Sequence, residues 1–363
     1  MCLCGVCLLG PALQLVSAQA PEAKPATSAQ DAKPAAGVQQ AGPYSLLLDV
    51  VVTDKSGNPV PGLTERDITV LDNRQPAKIL SFSAHNEADI PAGGEDDSTE
   101  VIVVVDEVNA DYQKVTYVRD GVRKFLTQAG AQLMWPVSLA FFADSGLQVQ
   151  GQPTTDGAAL VHALDQQARG LREVMPGTWL GGEQQLLQRS LDALAALIAR
   201  CQKMPGRKMV IWIGPGWPMF AGPLQQISPA QKQRVFDQVV ALSSAMRQAR
   251  MTLYSVDPLG AGANTMHAEY YQTYTRPLEQ VDHAALADFE LQVLAEQTGG
   301  RALFGGATID DYLRHCTADL SAFYTIAVEK KRSETAPQFH SIEVRVDQPK
   351  YKVRTRNGYY AVP

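Results

Sequence analysis

The apolar positions of this chain change period along its length, and each change marks a different kind of element. Between residues 44 and 84 they fall in short β-rich runs: Leu46–Val52, Ile68–Leu71 and Lys78–Phe82. Ser56-Gly57-Asn58-Pro59 reads as a turn, and Asp72-Asn73-Arg74-Gln75-Pro76 predicts that the second and third runs form a hairpin. No helical spacing intervenes. Residues 86–99 (NEADIPAGGEDDST) are polar and form a boundary.

Beyond that boundary the pattern alternates. Val101–Val105 is a continuous β-branched run, as expected of a parallel strand buried on both faces, and Asp106 ends it. Val115, Val118, Val122, Phe125 and Leu126 follow at helical spacing. Val137–Phe142 is a strand, and Asp144-Ser145-Gly146 turns it into an antiparallel edge strand at Leu147–Val149. Leu160–Ala163 begins a short helix, and Leu186, Leu187, Leu191, Leu194, Leu197 and Ile198 define a longer one. Met209–Ile213 and Thr252–Val256 are strands around a helix at Val235–Met246. A helix over Phe289–Leu294 stops at Gly299-Gly300, before a short strand at Ala302–Phe304 and an amphipathic helix over Ile309–Leu320. Strands alternating with helices predict an α/β fold: a mainly parallel sheet with helices on both faces. The tail returns to β at Phe323–Val328, Ile342–Val346 and Tyr351–Arg356. The β-rich segment 44–86 is therefore expected to pair with residues 321–361 of the C-terminal strands (321–363) as one small β-module beside a domain spanning 100–320, since neither segment alone makes a stable sheet.

The N-terminal end carries no such pattern. Residues 1–20 hold an apolar stretch from Val6 to Val16 and an Ala18-Gln19-Ala20 cleavage form, so they read as an export signal, although no Lys or Arg precedes the apolar stretch. Residues 21–43 are Pro/Ala/Gln-rich and read as a disordered linker. No later run is long enough to span a bilayer. Three of the five cysteines lie in the signal, which leaves Cys201 and Cys316 as buried apolar residues or a single disulfide. A net charge of −6 gives no attraction to nucleic acid or anionic membrane, so the expected partner is a protein or a small ligand.

The stretches VVTDKSGNPVPGLTERDITVLDNRQPAKI (51–79), VIVVVDEVNADY (101–112), RKMVIWIGPGWP (207–218), LAEQTGGRAL (294–303) and IEVRVDQPKYKVRTRNGYYA (342–361) carry a resemblance. The chain resembles the von Willebrand factor A (VWA) domain, and in particular the bacterial VWA-related family abundant in Acidobacteria. That resemblance implies a VWA-like, Rossmann-like sheet and a role in protein–protein interaction or adhesion, with no catalysis. It also raises the metal-ion-dependent adhesion site that many VWA domains hold. There, Asp-x-Ser-x-Ser after the first strand, a Thr and a further Asp give Mg²⁺ an all-oxygen shell. Asp106 matches the first Asp and Thr178 the Thr. Val108 and Ala110 stand at the serine positions, and Gly214-Pro215-Gly216 stands where the last Asp belongs. The set is degenerate. No cofactor is expected, Mg²⁺ or Ca²⁺ at Asp106 and Thr178 being the alternative. In the metal-free reading Asp106 accepts backbone N–H groups, as a cap does, and Glu107 and Asp111 point elsewhere.

No zinc spacing links the six histidines, and no nucleophile elbow or phosphate-cradling loop is present. An enzyme of hydrolase type would need Asp106, Asp144, Asp257 and a histidine to converge. Ligands of open α/β sheets sit outside the carboxyl ends of the strands, and the loops leaving those ends carry Trp179, Trp217, Phe220, Tyr270, Tyr271 and Tyr274. These aromatics are either partner-binding residues or a lid folded over the former metal pocket. The chain is thus expected to be an exported protein of the periplasm, outer envelope or extracellular space. It is expected to bind a protein partner, with a metal-dependent adhesion protein of reduced site as the first rival.

Overall fold

The computed structural model describes residues 45–86, 98–167, 182–217, 227–257, 270–333 and 337–361. The signal at 1–20, the linker at 21–43, and Thr178, Trp179 and Phe220 lie outside the described residues, as does the side chain of Tyr270. Four strands come first: β1 (Ser45–Thr53), β2 (Ile68–Asp72), β3 (Gln75–Pro76) and β4 (Ile79–Asn86). Alternating elements follow: β5 (Thr99–Asp106), α1 (Tyr112–Leu126), β6 (Gln132–Ala143), β7 (Gly146–Asp156), α2 (Gly157–Gln167), α3 (Gly182–Cys201), β8 (Arg207–Ile213), α4 (Pro229–Gln248), β9 (Met251–Asp257), α5 (Leu291–Gln297), β10 (Ala302–Phe304) and α6 (Ile309–Ala318). Four strands close the chain: β11 (Ala322–Glu329), β12 (Gln338–Val346), β13 (Lys352–Arg354) and β14 (Gly358–Ala361).

The alternating part forms a six-stranded sheet in the order β10-β9-β8-β5-β6-β7. Every neighbouring pair is parallel except β6 with β7, the antiparallel edge hairpin that the Asp144 turn predicts. The chain runs one way from β5 to β7 and the other way from β8 to β10, so the order reverses between β5 and β8. A reversal of this kind opens a crevice at the carboxyl ends of the two strands. Successive residues of β5 face opposite layers. Ile102 and Val104 pack with Leu194 and Leu197 of α3 and Val239 of α4. Val101, Val103 and Val105 pack with Val118 and Val122 of α1 and Leu313 of α6. Burial on both faces is why this strand reads as an unbroken apolar run. Cys201 lies in the first layer and Cys316 in the second, both as free buried thiols. Among the described residues no helix is long and apolar enough to cross a membrane.

The flanking strands form two four-stranded antiparallel sheets, β13-β1-β11-β4 and β14-β12-β2-β3. Leu46, Leu48 and Val50 of β1, Ile68 and Val70 of β2, Tyr324 and Ile326 of β11 and Ile342 and Val344 of β12 fill the space between them. N- and C-terminal strands therefore build one β-module, and the α/β class with its added β-strands is the architecture of the chain.

The predicted hairpin of Ile68–Leu71 with Lys78–Phe82 is corrected. β2 turns tightly through Asn73 and Arg74, both at positive φ (50° and 63°), and pairs only with the two residues of β3. Pro76 has no N–H to extend that ladder. The chain then leaves for the other sheet, where β4 pairs with β11, while β2 takes β12 as its long partner.

Candidate functional site

Asp106 is the last residue of β5 and stands at the switch point. Its side chain is buried. Oδ1 accepts the backbone N–H groups of Val108 (3.1 Å) and Asn109 (2.9 Å). Oδ2 accepts the Asn109 amide (2.9 Å) and the Trp212 indole N–H (3.0 Å). Burial pushes the carboxyl above its ordinary value, and the donors from Asn109, Trp212 and Val108 pull it back. The Asn109 amide also donates to Ser190 Oγ on α3 at 3.1 Å, so one side chain ties the strand end to the neighbouring helix.

The other half of the crevice is the loop after β8. A Cβ at Gly214 would lie 2.7 Å from the Cβ of Asp106, so glycine there lets the two strand ends close on each other. Gly216 has φ of +85°, and a side chain there would meet the Gln292 amide. Trp217 turns inward and packs edge-on against Trp212 at 5.6 Å between ring centroids. Its indole nitrogen is buried without a partner, as is Asn109 Oδ1.

The residues present do not fit a six-oxygen ion site. The Asp106 oxygens face four N–H hydrogens, which repel a cation, and Val108 and Ala110 offer no oxygen side chain. Among the described residues no three His, Cys, Asp or Glu side chains group to hold a metal. Asp106 takes backbone N–H groups as expected, but from the loop at 108–109 rather than from the helix. Asp111 caps α1 by accepting the Lys114 N–H at 2.9 Å. Glu107 pairs with buried Arg119 at 2.8 Å, and Asp144 pairs with Arg189 at 2.9 Å.

Of the aromatic candidates whose side chains are described, Tyr274 is half-buried, while Trp217 and Tyr271 are both buried, Tyr271 edge-on to Phe304 at 6.2 Å. The two buried rings turn toward the fold rather than to solvent. The rings that stay open are elsewhere. Tyr112, the first residue of α1, is 58% exposed, and Tyr117 is 40% exposed. Burial, with smaller contributions from Asp257 and Tyr117, raises the Tyr312 hydroxyl, and Tyr312 donates to the Gly305 carbonyl (2.5 Å) just past the carboxyl end of β10. Both exposed tyrosines thus sit on the helix that leaves the Asp106 loop. Sequence reasoning missed them, together with Trp212 and Asn109 as partners of Asp106. The available signal was Asp111 as a cap, which sets Tyr112 in the first, solvent-facing turn.

No family model matches the chain, and no curated protein matches it. Three solved structures overlap it loosely, each at 10% identity. The human COPII-coat protein Sec24c gives a TM-score of 0.32 over 78% of this chain and 46% of its own length. The TFIIH p34 N-terminal domain gives 0.31 over 61% and 97%. Proximal thread matrix protein 1 from the mussel byssus gives 0.24 over 45% and 38%. This chain therefore spans under half the length of the Sec24c structure.

Proposed function

We propose that this is an exported VWA-type protein of the periplasm or cell surface that binds another protein at the carboxyl-end face of its central sheet, without a working metal-ion-dependent adhesion site. One observation carries the reading. The polar centre of that face is sealed by N–H donors, while two tyrosines stand exposed on the helix that leaves it. Exposed tyrosine offers a large rigid surface with a polar tip at low entropy cost, which suits protein recognition. The VWA assignment rests on the sequence motifs and on a doubly wound sheet with one antiparallel edge. Export rests on the apolar pattern of residues 1–20.

Photo-crosslinking in cells that express the chain tests this reading. A crosslinking residue at 112 or 117 is expected to trap a discrete protein. The same residue at Met134, which is 53% exposed near the amino end of β6, is expected to trap none. Tyr112→Ala with Tyr117→Ala should weaken capture about tenfold or more while leaving Tm within about 2 °C. Equal trapping at all three positions would contradict the reading.

A further inference from the structure

Among the described residues, the opposite end of the sheet holds an excess of buried positive charge. β1 and β11 show one face to the β-module core and the other to the amino ends of the α/β strands. Asp49, on that second face of β1, pairs with Arg250 at 2.8 Å and accepts the Thr325 hydroxyl at 3.3 Å. Arg207, at the start of β8, is 2% exposed and feels the Asp49 charge. Its guanidinium lies over the Phe323 ring at 4.5 Å, yet its Nε and Nη1 are buried without an acceptor. Stacking holds the plane of the group but gives nothing to its N–H edges. β13 pairs antiparallel with β1 so that Val51 faces Arg354. Continuing that register sets Arg356 across from Asp49, and Thr355 donates to the Asp49 carbonyl at 2.9 Å. Arg356 is 7% exposed. Burial and the nearby Arg247 push its guanidinium down to about 10.

Three guanidinium groups therefore surround one carboxylate. The neighbouring acid, Asp319, gives no relief, because Arg354, Arg301 and the Tyr254 hydroxyl already occupy it. A buried guanidinium lacking acceptors is costly, and a compact oxyanion supplies several acceptors at once. The Asp49 and Arg250 side chains keep 11% and 16% of their surface and form the solvent edge of the cluster.

We infer that the seam between the β-module and the α/β sheet is a binding site for a divalent oxyanion of the phosphate class, held by Arg207, Arg250 and Arg356 around Asp49. Binding there bridges β1, β8 and the stretch after β13, so the anion stabilises the joined fold by mass action.

The test uses the full chain and inorganic phosphate, with sodium chloride at matched ionic strength. Phosphate is expected to raise Tm with the logarithm of its concentration above Kd, by about 5 °C at a hundredfold excess, while chloride does not. Arg356→Gln and Arg250→Gln should each weaken the response about tenfold or more, and Arg356→Lys should restore part of it. Calorimetry on the unmodified chain should show one saturable site whether or not the variants fold. No saturable heat with phosphate would overturn the inference. So would a phosphate effect on Tm that rises linearly with concentration and survives both glutamine substitutions, the behaviour of general salt exclusion.

Discussion

Glu290 carries an unusual electrostatic load. It is 3% exposed, stands just before α5, and neither carboxylate oxygen has a partner. Burial, aided by the charge of Asp288, pushes its carboxyl from 4.5 up to about 8. In the unfolded chain the group ionises near its ordinary value, whereas the folded chain keeps the proton until about pH 8. Between those values the folded state binds the extra proton, so stability falls as pH rises, and above them the loss is complete. Glu290→Gln should therefore match the parent near about pH 4 and exceed it increasingly toward pH 8, by on the order of 3 kcal/mol. Denaturant unfolding across that range checks this, and a constant difference at every pH would contradict it. Nothing in the spacing of apolar residues singles out the position. A helix read from Phe289 onward leaves Glu290 an ordinary polar residue, whereas a 3-10 turn over Leu286–Phe289 precedes α5 and places Glu290 at its cap. The same limit hid Trp212, which sits inside an apolar strand run and shows its donor only when β5 and β8 lie side by side.

At the scale of elements, the readable strands and helices were those with one clear period. β5, β8, β9, α1 and α6 all appear where their spacing places them. β11 departs from alternation because both its faces are covered: Tyr324 and Ile326 face the module core, and Phe323 faces Arg207. The hairpin error has a similar origin, since local turn signals cannot show that a strand's main partner lies far along the chain. Two junctions predict contrasting costs. α5 stops at Gly299, with φ of +87°, and a Cβ at the next residue, Gly300, would lie 1.8 Å from the Leu253 carbonyl oxygen. Gly300→Ala should cost about 3 kcal/mol or more, because backbone must move. α4 begins with a capping box in which Ser228 and Gln231 exchange hydrogen bonds at 3.3 and 2.8 Å. Ser228→Ala should cost only about 1 kcal/mol, since the cap is exposed. Equilibrium unfolding of the two variants side by side checks the ranking, and equal losses would mean that α5 does not pack against β9 this closely.

At the scale of the molecule, one sheet shows two chemically opposite ends. The carboxyl end closes a carboxylate under N–H donors and leaves tyrosines outside, and the amino end gathers arginines against the β-module. The alternating core and the joining of both terminal β segments were legible in the sequence. That Val108, Ala110 and Gly214 offer no side-chain oxygen was legible too. The N–H shell that Asn109 and Trp212 put around Asp106 was not, because hydrogen-bond direction depends on how three separate elements meet. The central claim is that this shell leaves Asp106 unable to seat a cation. Calorimetric titration of the full chain with Mg²⁺, Mn²⁺ and Ca²⁺, with Asp106→Asn as control, tests it most directly. The account predicts no saturable heat at millimolar metal and identical traces for parent and variant. Saturable binding to the parent that disappears in Asp106→Asn would contradict it and establish a metal site at Asp106.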